Sequence, residues 1–254
     1  MWRTRFSLVS TAFWLLGINF LIAGLSFVTT FVIANALGAR AFGDLSYAIA
    51  VGTYCLAIAS CGQERTLVRD LLQSPGRFSE FVSAATLIRF AALVITLAGI
   101  LLLNSLSQPE DRLTWSTAAI VLSLGIKALY LEPVFDAWGK MVRHSMYLMV
   151  ERCVYFAMLW ISLLLLRDYF SVTLIAIYML LSAGIGLVLQ YNWALPHLGL
   201  SFNPNTAVLA WQLLRRSLWV WSSVIATLSF GGLSKIVLKH LSGSTELGSY
   251  AVAW

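Results

Sequence analysis

The stretch from Phe6 to Ala39 carries no Asp, Glu, Lys or Arg, and neither do residues 45–63, 90–109 and 169–214. A helix crossing the hydrocarbon layer of a bilayer takes about 20 residues, and each of these runs can supply one. Their number decides the fold class. The 254 residues are 59% hydrophobic and 11% charged, whereas an ordinary soluble domain is about 25% charged. A soluble core of this size cannot hide so much apolar surface, so the sequence specifies an all-α membrane protein. Arg3, Arg5, the apolar stretch behind them and Ala34-Asn35-Ala36 imitate a secretory signal. The apolar region of such a signal is only about 7–15 residues long, far shorter than this one.

The pattern predicts seven spans, at 8–36, 43–63, 81–104, 114–134, 145–166, 170–192 and 217–238, and the start of an eighth. Asn203-Pro204-Asn205 predicts a helix break, and Thr206–Arg216 a short amphipathic piece lying in the membrane interface. The chain then divides into a six-helix lobe, 1–204, and a second part, 205–254, holding the interfacial helix, span seven and the opening of a second lobe. With the N-terminus in the cytoplasm, the inner segments hold Arg3, Arg5, Arg65, Arg69, Arg77, Lys140, Arg143, Arg215 and Arg216. The outer loops hold Arg40, Arg112, Arg167 and Lys239, so the excess of Lys and Arg favours N-in. Cys55, Cys61 and Cys153 lie in apolar surroundings without metal-ligand spacing and read as packing residues.

Four cations fall inside spans: Arg89, Lys127, Arg152 and Lys235. A charge at the bilayer centre costs about 2.5–3.5 kcal/mol on insertion scales, and such residues face protein or a water-filled cavity. Counted from the inner ends of their spans, Arg89, Lys127 and Arg152 lie at one depth, on the order of 10 Å below the inner surface. A shared, inward-open cationic cavity is the favoured reading, suited to a phosphate or pyrophosphate, and Lys235 is added as a fourth candidate. The competing reading is internal ion pairing, with Glu132 five residues after Lys127, Glu151 beside Arg152, and Asp136 nearer the inner end. Arg65 and Arg69, one helical turn apart where span two leaves the membrane, mark the cytoplasmic entrance; as a simple positive-inside anchor they need no ligand. The chain has no G-x-x-x-x-G-K-[ST], H-E-x-x-H or G-x-S-x-G, so a transporter is expected rather than an enzyme. No cofactor, metal or nucleic-acid partner is expected.

The chain also repeats itself. Phe42-Gly43-Asp44-Leu45-Ser46-Tyr47-Ala48-Ile49 aligns with Leu247-Gly248-Ser249-Tyr250-Ala251-Val252-Ala253-Trp254, from 43 to 248, an offset of 205. The preceding loops, LGARAFG and LSGSTELG, differ by one residue. Spans one and seven run the same way, so the repeat is parallel, as in transporters whose two halves enclose a central site. On that architecture the whole protein has roughly 410 residues or more.

Leu37-Gly38, Phe42-Gly43, Gly62, Arg69 and Asp70 give the chain its resemblance to the polysaccharide-biosynthesis exporters, which include the O-antigen flippases of the multidrug/oligosaccharidyl-lipid/polysaccharide superfamily. The family often places an acid just before a Lys or Arg in span seven, where this chain has Ser234-Lys235; the coupling ion, H+ or Na+, is left open. The resemblance implies a two-lobe transporter of 12–14 helices in the bacterial inner membrane. It implies movement of a polyprenyl-pyrophosphate-linked oligosaccharide by alternating access, with membrane lipids, a polysaccharide polymerase and chain-length proteins as further partners. The alternatives are a multidrug or ion antiporter of the same superfamily, a membrane-embedded glycosyltransferase or ligase of the same pathway, and a non-transporting remnant.

Overall fold

The computed structural model describes residues 2–106, 114–165, 169–199 and 204–253. Arg112, Arg167, Asn203 and Trp254 lie outside these residues, and the side chains of Arg3 and Arg5 are likewise outside the described set. Within it the chain is all helix: α1 (Trp2–Ser60), α2 (Gln63–Gln73), α3 (Phe78–Leu106), α4 (Trp115–Ile126), α5 (Glu132–Ala137), α6 (Met141–Leu165), α7 (Val172–Leu198) and α8 (Pro204–Ala253). Among the described residues six helical stretches are long and apolar enough to cross a membrane, the first of which, Ser10–Gln73, takes in the first two of the seven expected spans. Their outer faces carry large apolar side chains, Phe20 at 80% and Phe230 at 91% exposure among them, as faces that meet lipid or further protein do.

Two of the helices are not straight rods. α1 is divided at Gly38 (φ 74°, ψ 170°) and α8 at Gly243 (φ 86°, ψ 177°). That backbone region is essentially open to glycine alone. The two kinks share one conformation and lie 205 residues apart, from 38 to 243. The offset matches that of Gly43 and Gly248, so Gly38–Gly43 and Gly243–Gly248 are loops of equal length. The one-residue difference expected from the sequence disappears, because Ser242 corresponds to Leu37 rather than to an insertion.

The two bends pack against each other reciprocally. A methyl group on Gly43 would lie 1.8 Å from the Ser244 carbonyl oxygen, and one on Gly248 would lie 1.9 Å from that of Ala39. Residues 39 and 244 are themselves related by the repeat, so the contact is two-fold, each bend touching the other through the same pair of positions. Around it, Lys239 Nζ donates to Asp44 Oδ1 at 2.9 Å and Ser244 Oγ to the same oxygen at 2.7 Å. Below it the second arm of α1 runs antiparallel to α8. Lys239 lies over the Tyr47 ring at 4.1 Å, Tyr54 donates to the Leu228 carbonyl at 3.3 Å, and Trp221 Nε1 donates to that of Ala57 at 3.0 Å.

α8 continues unbroken from Pro204 to Gly243. The separate amphipathic piece expected at Thr206–Arg216 is instead the opening of α8, burying Leu209, Ala210 and Leu213 against α2 and α3. Residues 206–216 contain neither Gly nor Pro, so nothing ends the helix there. The remaining helices pack in two layers. Leu67, Leu71, Phe81, Val134, Phe135 and Leu213 fill the end opposite the bends. Ile33, Phe42, Leu45, Ile120, Leu159 and Ile175 fill the region beneath them.

A branched side chain at Gly43 must separate the two bends. Gly43→Val is expected to lower the thermal midpoint in detergent micelles by several degrees, since overpacking a close contact costs about 1–3 kcal/mol. Gly24→Val, at a position with nothing within 4 Å, is the control and is expected to leave the midpoint nearly unchanged.

Candidate functional site

A cavity of about 220 Å³ lies beneath the paired bends, lined in part by Thr29, Thr30, Ser46, Arg152, Tyr155 and Lys235. Both arms of α1 contribute, with α6, α7 and α8. Thr29 and Ser46 lie about 12–14 Å along their arms from Gly38, at the helical rise per residue. Arg152 sits at the middle of α6, between Met141 and Leu165. The cavity is therefore near mid-membrane, deeper than the 10 Å from the inner surface expected from the sequence. It also spans the seam between the repeats. The 205-residue offset carries Thr30 onto Lys235 and Ser46 onto Ala251, and all four line it. Arg152 makes no ion pair among the described residues, so its charge is available to the cavity.

The other two intramembrane cations are spent inside the protein. Lys127 donates to Glu151 Oε1 at 2.5 Å, and Tyr130 donates to Glu151 Oε2 at 2.9 Å. Glu151 is 2% exposed. The pairings expected from sequence proximity, Lys127 with Glu132 and Glu151 with Arg152, are not those that form. Residues 151 and 152 diverge by about 100° around α6, at 3.6 residues per turn. Lys127 and Glu132 are separated by a break in the helix.

That break explains Arg89. After Ile126 the chain makes a short 3-10 turn, Lys127–Leu129, and Tyr130 is extended (φ −62°, ψ 144°) before α5 begins. Pro133 is the cause: it has no N–H for the Leu129 carbonyl, and its ring crowds that oxygen. Backbone groups freed in a membrane need protein partners. Arg89 Nη1 donates to the Tyr130 carbonyl at 3.1 Å and to that of Ala128 at 3.4 Å. Tyr191 donates to the Leu129 carbonyl at 3.3 Å, and the Leu131 N–H donates to Gln190 Oε1 at 3.0 Å. Arg89 and Lys127 are not among the residues lining the cavity, so the single shared site anticipated for Arg89, Lys127 and Arg152 is not assembled in this conformation.

The entrance residues lie at the end opposite the bends. Arg65 borders two hollows, one of about 390 Å³ with Glu64, Glu132 and Asp136, the other of about 370 Å³ against α8. Arg69 is paired with Asp70 at 3.5 Å. Glu132 Oε2 lies 3.9 Å from His144 Nε2. Among the described residues no group of His, Cys, Asp and Glu is arranged to hold a metal ion. Sequence reasoning missed Thr29, Thr30, Ser46 and Tyr155. The repeat register was the signal that could have found Thr30 and Ser46, through Lys235 and Ala251.

The polysaccharide biosynthesis protein family matches the chain over residues 8–254. No curated protein and no solved structure matches it.

Removing one member of a buried ion pair leaves the other uncompensated and costs about 3–5 kcal/mol, whereas replacing both by apolar groups is often neutral. Glu151→Leu is expected to destabilise strongly in thermal unfolding. Lys127→Met combined with Glu151→Leu is expected to recover most of the loss. A double variant as unstable as Glu151→Leu alone would show that the pair is not the stabilising unit.

Proposed function

The chain belongs to the polysaccharide biosynthesis protein family, and on that premise we propose that it is a flippase for a polyprenyl-pyrophosphate-linked oligosaccharide. One observation carries this reading: a cavity of mixed polar and apolar lining midway along the helices, on the seam between two repeats, with Arg152 and Lys235 among its lining residues. Guanidinium and ammonium groups in a low-dielectric setting suit a pyrophosphate, Arg through its planar fork and Lys as a point charge. The Ser46 and Tyr155 hydroxyls suit a sugar or a phosphate oxygen, whereas Thr29 and Thr30 Oγ1 donate to the Leu25 and Ser26 carbonyls and offer a sugar hydroxyl an acceptor. The isoprenoid tail would remain in the lipid beside the helices.

The proposed transport is alternating access of two repeats about their seam. The pyrophosphate rests against Arg152 and Lys235 while the seam at the bends is closed, and parting the bends releases it to the outer side. In this reading the N-terminus and the Arg65 hollows face the cytoplasm, which the excess of Lys and Arg on that side supports. The proposed energy source is an ion gradient or consumption of the product outside.

The test is complementation of a flippase-null strain, read as long-chain surface polysaccharide. Arg152→Ala and Lys235→Ala are each expected to reduce surface polymer about tenfold or more, the loss of one charge-assisted contact being worth about 1.5–3 kcal/mol. Arg152→Lys is expected to fall between Arg152→Ala and wild type. Undiminished polymer in the Arg152→Ala, Lys235→Ala double variant, with normal membrane levels, would exclude the cavity as the pyrophosphate site.

A further inference from the structure

At the end of the bundle opposite the bends, two cations converge on one indole. Lys140 Nζ lies 4.6 Å and Arg143 Cζ 4.5 Å from the Trp193 ring centroid. The arrangement is built, not incidental. The turn between α5 and α6 is fixed by Gly139 at φ 65° and by the Lys140 N–H donating to the Phe135 carbonyl at 2.8 Å. Trp193 is held by stacking on Phe135 at 5.1 Å and on His197 at 5.0 Å, and by an edge contact with Trp138 at 5.5 Å. Each cation gains about 0.5–1 kcal/mol from the ring. Holding two like charges on the same ring opposes that gain.

No carboxylate resolves the conflict. Among the described residues neither Lys140 nor Arg143 forms an ion pair, Asp136 on the adjoining helix pairs with neither, and the first turn of α6 has no acid. An anion between the two charges would relieve the repulsion. The surroundings say what kind. Met146 and Val150 follow Arg143 at three and seven residues, on the same face of α6, and both are exposed. An apolar strip therefore leads away from the cations along the helix, and a partly buried Trp stands where aromatic residues meet the membrane surface.

We propose that Lys140, Arg143 and Trp193 form a binding site for the phosphate headgroup of a membrane lipid, whose chain lies along Met146 and Val150. The site is separate from the mid-membrane cavity and shares no residue with it. Two sources of the headgroup have the same chemistry, an anionic phospholipid and a polyprenyl pyrophosphate.

The experiment is native mass spectrometry of the detergent-solubilised protein titrated with four probes: phosphatidylglycerol, phosphatidylcholine, a polyprenyl pyrophosphate and inorganic pyrophosphate. The wild type is expected to bind one or both anionic lipids at least tenfold more tightly than phosphatidylcholine, and the tighter of the two identifies the source. The Lys140→Ala, Arg143→Ala double variant, altered only at exposed positions, is expected to lose that preference. The Arg215→Ala, Arg216→Ala variant, which removes two other exposed cations, is expected to keep it. Three outcomes would overturn the proposal: unchanged lipid preference in the Lys140, Arg143 variant, equal loss in the Arg215, Arg216 variant, or inorganic pyrophosphate binding as tightly as the lipids. Arg152→Ala, which would fail the transport test, is expected to bind normally here, so the two readings can fail separately.

Discussion

The close approach of two backbones at the bends governs the rest of the architecture. Gly43 against Ser244 and Gly248 against Ala39 leave no room for a side chain on either glycine. The contact fixes the second arm of α1 along α8, and the antiparallel bonds through Tyr47, Tyr54 and Ala57 follow from that register. It also fixes the cavity. Thr30 and Lys235 face a common space because the repeat brings equivalent positions to the two sides of one seam. At these equivalent positions a cation stands on one side and a hydroxyl on the other, so the cavity is asymmetric in charge.

A second constraint comes from the solvent. In a bilayer every backbone group must find a partner inside the protein, and Pro133 frees several at the end of α4. Arg89, Tyr191 and Gln190 answer them. The break thus accounts for a cation in the middle of α3 without any ligand. It also places Lys127 where it meets Glu151 rather than the residue nearest in sequence. The two intramembrane cations closest to the break are consumed by structure, and the two nearest the seam, Arg152 and Lys235, are among the residues that line the cavity.

The membrane class, the spans and the repeat were legible because each rests on a local pattern: absence of charge, helix length, and paired glycines. The depth of Arg89 and Lys127 below the membrane surface was equally legible, but their direction was not. Depth follows from counting residues, whereas direction depends on where a helix breaks. Pro133 was visible; that the strain it causes would be relieved by Arg89 from another helix was not, because the partner lies some forty positions away. The course of 206–216 was misread for a related reason. Amphipathicity says which face is buried but not whether lipid or α2 and α3 covers it. Arg152 and Lys235 were named for their charge, yet Thr30 and Ser46 carry no signal except through the repeat offset.

The cavity's size bears on how the seam must behave under the proposed transport. About 220 Å³ holds on the order of seven waters at the liquid volume of about 30 Å³ each. A pyrophosphate or one sugar ring fits, but a whole oligosaccharide does not, so passage requires the walls to separate. Two joints could yield. The Glu151 pair is buried, and opening it would strand charge in a low-dielectric interior at a cost of several kcal/mol. The seam is cheaper. Its ion pair, Lys239 with Asp44, has side chains 28% and 45% exposed, and exposed pairs contribute about 0–1 kcal/mol. The glycine contacts are weak dispersion with no buried charge. Gly38 and Gly243 sit directly above and already occupy a backbone region that swings the helix axis. The energetics therefore assign the hinge to the two bends and the rigid body to the helices tied together by Glu151 and Arg89.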